Sequence, residues 1–144
     1  MNSSQELIDQ LMAANPKTVK EFSFDGYECL GRVIRVHDPD TITILFSYQG
    51  ELYKKNLRLN GIDAPELHSK VQKEADLCKA GQKFLSALIL DKIIQIKMGP
   101  FDKYGRILSQ IYTYKDSEDI IQKIVDGGFV RAYDGGHKDT WNLE

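Results

Sequence analysis

Apolar residues change their period several times along the chain. Leu7, Ile8, Leu11 and Met12 recur at helical spacing after Ser3 and Ser4, which suit a helix start, and Pro16 ends the run by Asn15. Four segments rich in β-branched and aromatic residues follow, over 22–30, 31–36, 41–48 and 52–59, with turn signals at Asp25-Gly26, Asp38-Pro39 and Gln49-Gly50. A helix is predicted over 72–90, where Ala75, Cys78, Gly81, Phe84, Leu85, Leu88 and Ile89 form one apolar stripe. Strands over 93–98 and 106–114 flank a loop holding Gly99, Pro100 and Gly105. A short helix is predicted over 117–126, with Ile120, Ile121, Ile124 and Val125 inward and Gly127-Gly128 as its stop. This order predicts an α+β fold: a small closed barrel of oligonucleotide-binding (OB) type packed against helices. Residues 1–20 read as an N-terminal helical extension and 21–144 as one domain.

With 144 residues the chain can bury a core without disulfides or a structural metal, so Cys29 and Cys78 are expected to be free thiols. Nineteen Lys and Arg against twenty-one Asp and Glu leave a net charge of −2. That balance argues against a protein that coats nucleic acid by bulk charge; a polyanion would need a local cluster. The first residues lack a basic, then apolar, secretory pattern, and no stretch has the length to cross a membrane. An intracellular, monomeric protein without a membrane partner is expected.

Three polar segments interrupt the pattern. His37-Asp38-Pro39-Asp40-Thr41 is common turn chemistry, yet it also sets Asp40 at the start of a strand, where it can offer oxygen to a hard cation with Asp38 behind it. Asp63-Ala64-Pro65-Glu66 has the spacing of a capping box, with Asp63 as N-cap. Capping leaves Arg58 unexplained, and an arginine beside carboxylates suits a bidentate grip on phosphate. Asp102-Lys103-Tyr104-Gly105-Arg106 reads as a polar hairpin that delivers a second guanidinium. His37, His68 and His137 share no metal-ligand spacing, and Lys54-Lys55 reads as a solvated strand edge.

Asp-x-Asp-Thr, Arg-x-x-x-Ile-Asp-x-Pro-Glu and Asp-Lys-Tyr-Gly-Arg, in this order, resemble the staphylococcal nuclease-like (thermonuclease) family over roughly residues 31–133. The resemblance implies a five-stranded OB-fold barrel and calcium-dependent hydrolysis of phosphodiester bonds in DNA or RNA by an endonuclease. It implies Asp40, Asp63 and the backbone carbonyl of Ala64 as ligands to one Ca2+ rather than Mg2+, with Asp38 supporting them. Glu66 matches the residue that orients or deprotonates the attacking water, and Arg58 and Arg106 match those that bind the scissile phosphate. Lys103, Tyr104 and Tyr133 match contacts to the substrate.

Elementary chemistry agrees: attack on a phosphodiester gathers charge on its oxygens, which guanidiniums and a metal stabilise. Clustered carboxylates also call for a cation. The chain departs from the pattern at Ala64, where threonine is frequent, and at Pro39, where glycine is. After Trp141 many members continue into a long helix; here the N-terminal helix is expected to cover part of the barrel instead. The alternative is a catalytically silent barrel that binds nucleic acid or a peptide. Such relatives lose the carboxylates and arginines, whereas Asp40, Arg58, Asp63, Glu66 and Arg106 are all present.

Overall fold

Two tight turns wind the first three strands into a meander. In the computed structural model, which describes residues 3–141 and residue 143, these are β1 (Glu28–Asp38), β2 (Thr41–Tyr48) and β3 (Glu51–Leu59). Met1, Asn2, Asn142 and Glu144, which the expected extension and domain include, lie outside the described residues. Pro39-Asp40 joins β1 to β2. Gln49 and Gly50 join β2 to β3 with φ of 50° and 81°, the double positive-φ turn that matches strand twist. The chain then passes β4 (Ile62–Asp63), α2 (Gln72–Ile89), β5 (Ile93–Phe101), β6 (Ile107–Thr113), α3 (Ile120–Asp126) and β7 (Arg131–Ala132). Helix α1 (Ser3–Ala13) precedes them all.

The barrel closes in the order β1-β2-β3-β6-β5, with β5 returning to β1, which is the OB-type architecture expected. Every neighbour is antiparallel except β3 and β6, which run parallel through Leu57↔Ile107 and Arg58↔Leu108. Alternation fills the interior: Ile42, Ile44 and Phe46 of β2, Ile94, Ile96 and Met98 of β5, and Ile107 and Ile111 of β6 are buried. Strands β4 and β7 form a separate two-stranded sheet.

Four expectations change. The separate strands over 22–30 and 31–36 are one strand, β1, because Gly31 pairs with Phe46 on one side and Ile94 on the other. A Cβ at Gly31 would come within 2.6 Å of Ile96 Cδ1, so its smallness serves the crossing rather than a break. Phe22 and Phe24 precede β1 and pack their rings near Phe101. Gly99-Pro100 lies inside β5 at a register shift between Met98 and Phe101, a place where a strand tolerates proline. The last helix begins at Ile120 rather than near 117: Ser117 has φ 52°, and Asp119 caps by accepting the Gln122 N–H at 3.0 Å. Finally, α1 buries none of its residues and does not cover the barrel.

Helix α2 sets one end of the barrel. Its buried stripe of Ala75, Cys78, Gly81, Leu85 and Ile89 packs toward β1. A Cβ at Gly81 would stand 2.8 Å from Pro39 Cγ, so this glycine lets the helix press against the turn that carries Asp38 and Asp40. Among the described residues, no helix is long and apolar enough to cross a membrane.

Candidate active site

The strand register decides which side chains meet. Thr41 opens β2 directly opposite Arg58 of β3, so Asp40, one residue earlier, reaches the same end of the barrel. Arg58 Nη2 lies 3.4 Å from Asp40 Oδ2. Its guanidinium also donates to the Leu59 carbonyl at 2.8 Å and the Ile62 carbonyl at 2.7 Å, which fixes its direction. Arg106 comes from the hairpin before β6. Its Nε donates to Asp102 Oδ2 at 2.7 Å and its Nη1 to Thr41 Oγ1 at 3.3 Å, while Thr41 donates onward to Asp40 Oδ1 at 2.9 Å. Gly105 has φ 79°, as the expected hairpin requires.

The capping-box reading of Asp63 fails. Asp63 belongs to β4, where it pairs with Arg131 of β7, and the next helix after it starts only at Gln72. Its carboxylate is almost wholly buried. Arg131 donates to Oδ2 from Nε and Nη2 at 3.2 and 2.9 Å, and Lys138 Nζ stands 3.2 Å from Oδ1. Arg131 also donates to the Asp139 carbonyl and lies 4.3 Å from the Trp141 ring centre, so the tail is fastened over this side of the site.

Asp38, Asp40, Arg58, Asp63, Glu66 and Arg106 therefore line one cleft of about 390 Å³, together with Ala64, His68 and Lys138. Glu66 is exposed on its rim. Burial, then the neighbouring Asp40 carboxylate, raises the Asp38 carboxyl above its ordinary value, partly offset by His37, Arg106 and His68. An adjoining cleft of about 600 Å³ shares Arg58 and Arg106 and is lined by Lys103, Tyr104 and Tyr133. The Tyr104 ring is exposed, with Lys103 Nζ at 5.1 Å and Arg106 Cζ at 5.3 Å from its centre. Tyr133 is tied to the tail by donating its hydroxyl to the Gly136 carbonyl at 2.6 Å.

Sequence reasoning missed three members of this neighbourhood. Glu74 accepts the Glu66 backbone N–H, and its signal was legible: a carboxylate four residues before Cys78, on the apolar stripe of α2. Arg131 and Lys138 had no such signal, since only the β4–β7 pairing and the folded tail bring them to Asp63.

Among the described residues no three His, Cys, Asp or Glu side chains close around a single point as a metal cage. Two carboxylates and a backbone carbonyl in one cleft are nonetheless hard oxygen donors of the kind calcium takes. The Lys138 ammonium on Asp63 stands where a cation's charge would be accommodated.

Fold and cleft together define an OB-type barrel with a mixed acid and guanidinium site at one end. The chain belongs to the staphylococcal nuclease homologue family, which matches residues 56–142. It is 32% identical over 109 residues to an Escherichia coli protein described as an "Uncharacterized endonuclease", and 31% identical to one of the same description from Escherichia coli O157:H7. Each alignment takes in 76% of this chain, which spans 64% of the length of each relative. Asp38 and Asp40 precede the family match; the strand register is what joins them to the rest.

Proposed function

We propose that this chain is a calcium-dependent nuclease that hydrolyses phosphodiester bonds in DNA or RNA. The observation that carries this reading is the convergence of Arg58 and Arg106 with Asp40, Asp63 and Glu66 in one cleft. Membership of the nuclease family and the relatives' description as endonucleases support it.

Arg58 and Arg106 grip the non-bridging oxygens of the scissile phosphate. Backbone carbonyls and Asp102 already hold their guanidiniums, so little side-chain freedom is lost on binding. Both are aimed at charge that grows in the transition state; removing either lowers the rate by roughly 10²–10³. Glu66 orients a water and takes its proton as the water oxygen bonds to phosphorus. The opposite phosphorus–oxygen bond breaks, and the departing oxygen leaves with a proton from solvent. A positioned base of this kind contributes roughly 10²–10⁴. Asp40, Asp63 and the Ala64 carbonyl would hold Ca2+, which when bound neutralises the carboxylates and stabilises charge on the phosphate. Asp38 supports Asp40 from behind, and Lys103, Tyr104 and Tyr133 receive the flanking nucleotide.

The test is cleavage of labelled single- and double-stranded DNA and RNA with calcium, magnesium or chelator, beside a Glu66→Gln control. Calcium-dependent cutting that Glu66→Gln reduces strongly is expected. No cutting by folded protein under any condition would instead favour the silent binding barrel, and equal turnover with magnesium would overturn the choice of metal.

A further inference from the structure

Outside the cleft, the solvent face of β1, β2 and β3 carries a second feature. Arg58 is opposite Thr41, Asn56 opposite Thr43 and Lys54 opposite Leu45, while Thr43 is opposite Arg35 on the other side. Alternation puts Arg58, Asn56 and Lys54 on one face of β3, roughly 7 Å from one to the next. Arg35 lies across β2 from Asn56, so a row of donors leads away from the phosphate-facing guanidinium.

This row borders a groove of about 570 Å³ that starts beside Tyr104 and Arg106. Arg35, Lys54, Lys55 and Arg106 line it, and no aspartate or glutamate does. In a chain of net charge −2 that is a local excess of one sign. Arg32, Lys97 and Lys123 are each matched to a carboxylate, whereas among the described residues Arg35, Lys54 and Lys55 form no ion pair. The floor is polar and ordered: His37 Nε2 and Thr43 Oγ1 are 2.6 Å apart, and Thr43 donates to Asn56 Oδ1 at 2.6 Å. Uncompensated cations over such a floor, opening from a phosphate site past an exposed ring, suit a charged, flexible backbone.

We propose that this groove binds the single-stranded nucleic acid that flanks the scissile phosphate, with Arg35 and Lys54 gripping its backbone. The proposal rests on the nuclease reading for its direction. A chain several nucleotides long then gains affinity that a dinucleotide cannot, and the enzyme follows one strand rather than a duplex.

The test compares the full chain with the Arg35→Ala/Lys54→Ala double variant and with a Lys17→Ala/Lys20→Ala control that removes equal charge from an exposed segment elsewhere. Binding of a labelled fifteen-nucleotide single strand is followed by fluorescence anisotropy in chelator over a salt series. Cleavage of a dinucleotide is followed in calcium. The groove variant should bind the strand more than about tenfold more weakly, with a salt slope smaller by about 1.4 for two lost phosphate contacts. Its dinucleotide turnover should stay at the native value. Native affinity and slope in the groove variant, or an equal loss in the control, would overturn the proposal. Failure of the native chain to cut any substrate would count against the nuclease reading alone, since the anisotropy still decides the groove.

Discussion

The Glu74 carboxylate accepts the backbone N–H of Glu66 across 2.7 Å, tying the rim of the cleft to the first turn of α2. Glu74 is only 9% exposed, and a charged acceptor makes the stronger kind of hydrogen bond. Among the described residues the Glu66 side chain makes no hydrogen bond or ion pair, while its main chain is held. On the proposed mechanism Glu74 is thus a positioning residue.

Glu74→Gln keeps an acceptor but loses the charge, so kcat should fall several-fold with KM little changed. Glu74→Ala should lower kcat further and cost about 2 kcal/mol of stability, as for a lost charged hydrogen bond. Steady-state kinetics beside calorimetric calcium titration separates this from a general loosening. Calcium affinity should hold while kcat drops; an unchanged kcat in Glu74→Ala would remove the positioning role.

Lys138 occupies one oxygen of Asp63 from an exposed position, with about half its side chain in solvent. A metal binding at that carboxylate competes with the ammonium. Lys138→Ala should therefore tighten calcium binding, by several-fold rather than by orders of magnitude because solvent screens the pair. Isothermal titration calorimetry reads it directly, and weaker calcium binding in the variant would contradict the competition.

Asp102 links acid stability to the site. Burial alone would raise its carboxyl, but the Arg106 and Tyr104 backbone N–H groups and the Arg106 guanidinium outweigh burial and hold it below the ordinary value. A depressed folded value means the stabilisation is complete above the unfolded value and is lost as pH falls through the folded one. The stability difference between native chain and Asp102→Asn should be constant near neutrality and shrink below about pH 4. Urea denaturation from pH 7 to 3 checks this; a difference that widened in acid would reverse the sign.

Both thiols are pushed up to about 11 from 9.0, Cys29 by burial, and Cys78 by burial and then by the charges of Asp38, Asp40 and Glu74. Neither is in a disulfide. An unfolded thiol ionises near 9 while the folded one keeps its proton, so this stabilisation is full below pH 9 and lost as pH rises toward 11. At pH 8, iodoacetamide should label the folded chain about a hundredfold more slowly than the denatured one, following the thiolate fraction. Equal labelling rates would show that these thiols are not held protonated.

Much of this molecule could be read along the chain. Alternation placed β2 and β3 within a residue at either end, and the stripe of α2 was visible from Ala75 to Ile89. The failures share a cause. Gly31, Gly99 and Pro100 look like breaks in one dimension, yet a barrel needs small residues and bulges where strands cross or bend. Asp63 looked like a helix cap because its partner, Arg131, is remote in sequence and only strand pairing brings it near. The three short motifs held the residues that converge in the cleft, but not Glu74, Arg131 or Lys138, which support it from other elements.

The one parallel pairing in the barrel, β3 with β6, has a kinetic meaning. Leu57 can meet Ile107 only after the intervening helix and hairpin have been laid down, and such non-local parallel contacts form slowly. Arg58 and Arg106 sit on the two sides of that seam, so the phosphate grip proposed for them would be assembled at the step that shuts the barrel. On refolding, recovery of phosphodiester cleavage should lag behind protection of the β1–β2–β3 amides followed by pulsed hydrogen exchange, and simultaneous recovery would refute the order. On the proposed mechanism, a chain whose β3–β6 seam has not yet shut would lack the paired guanidiniums and be harmless to the nucleic acid around it.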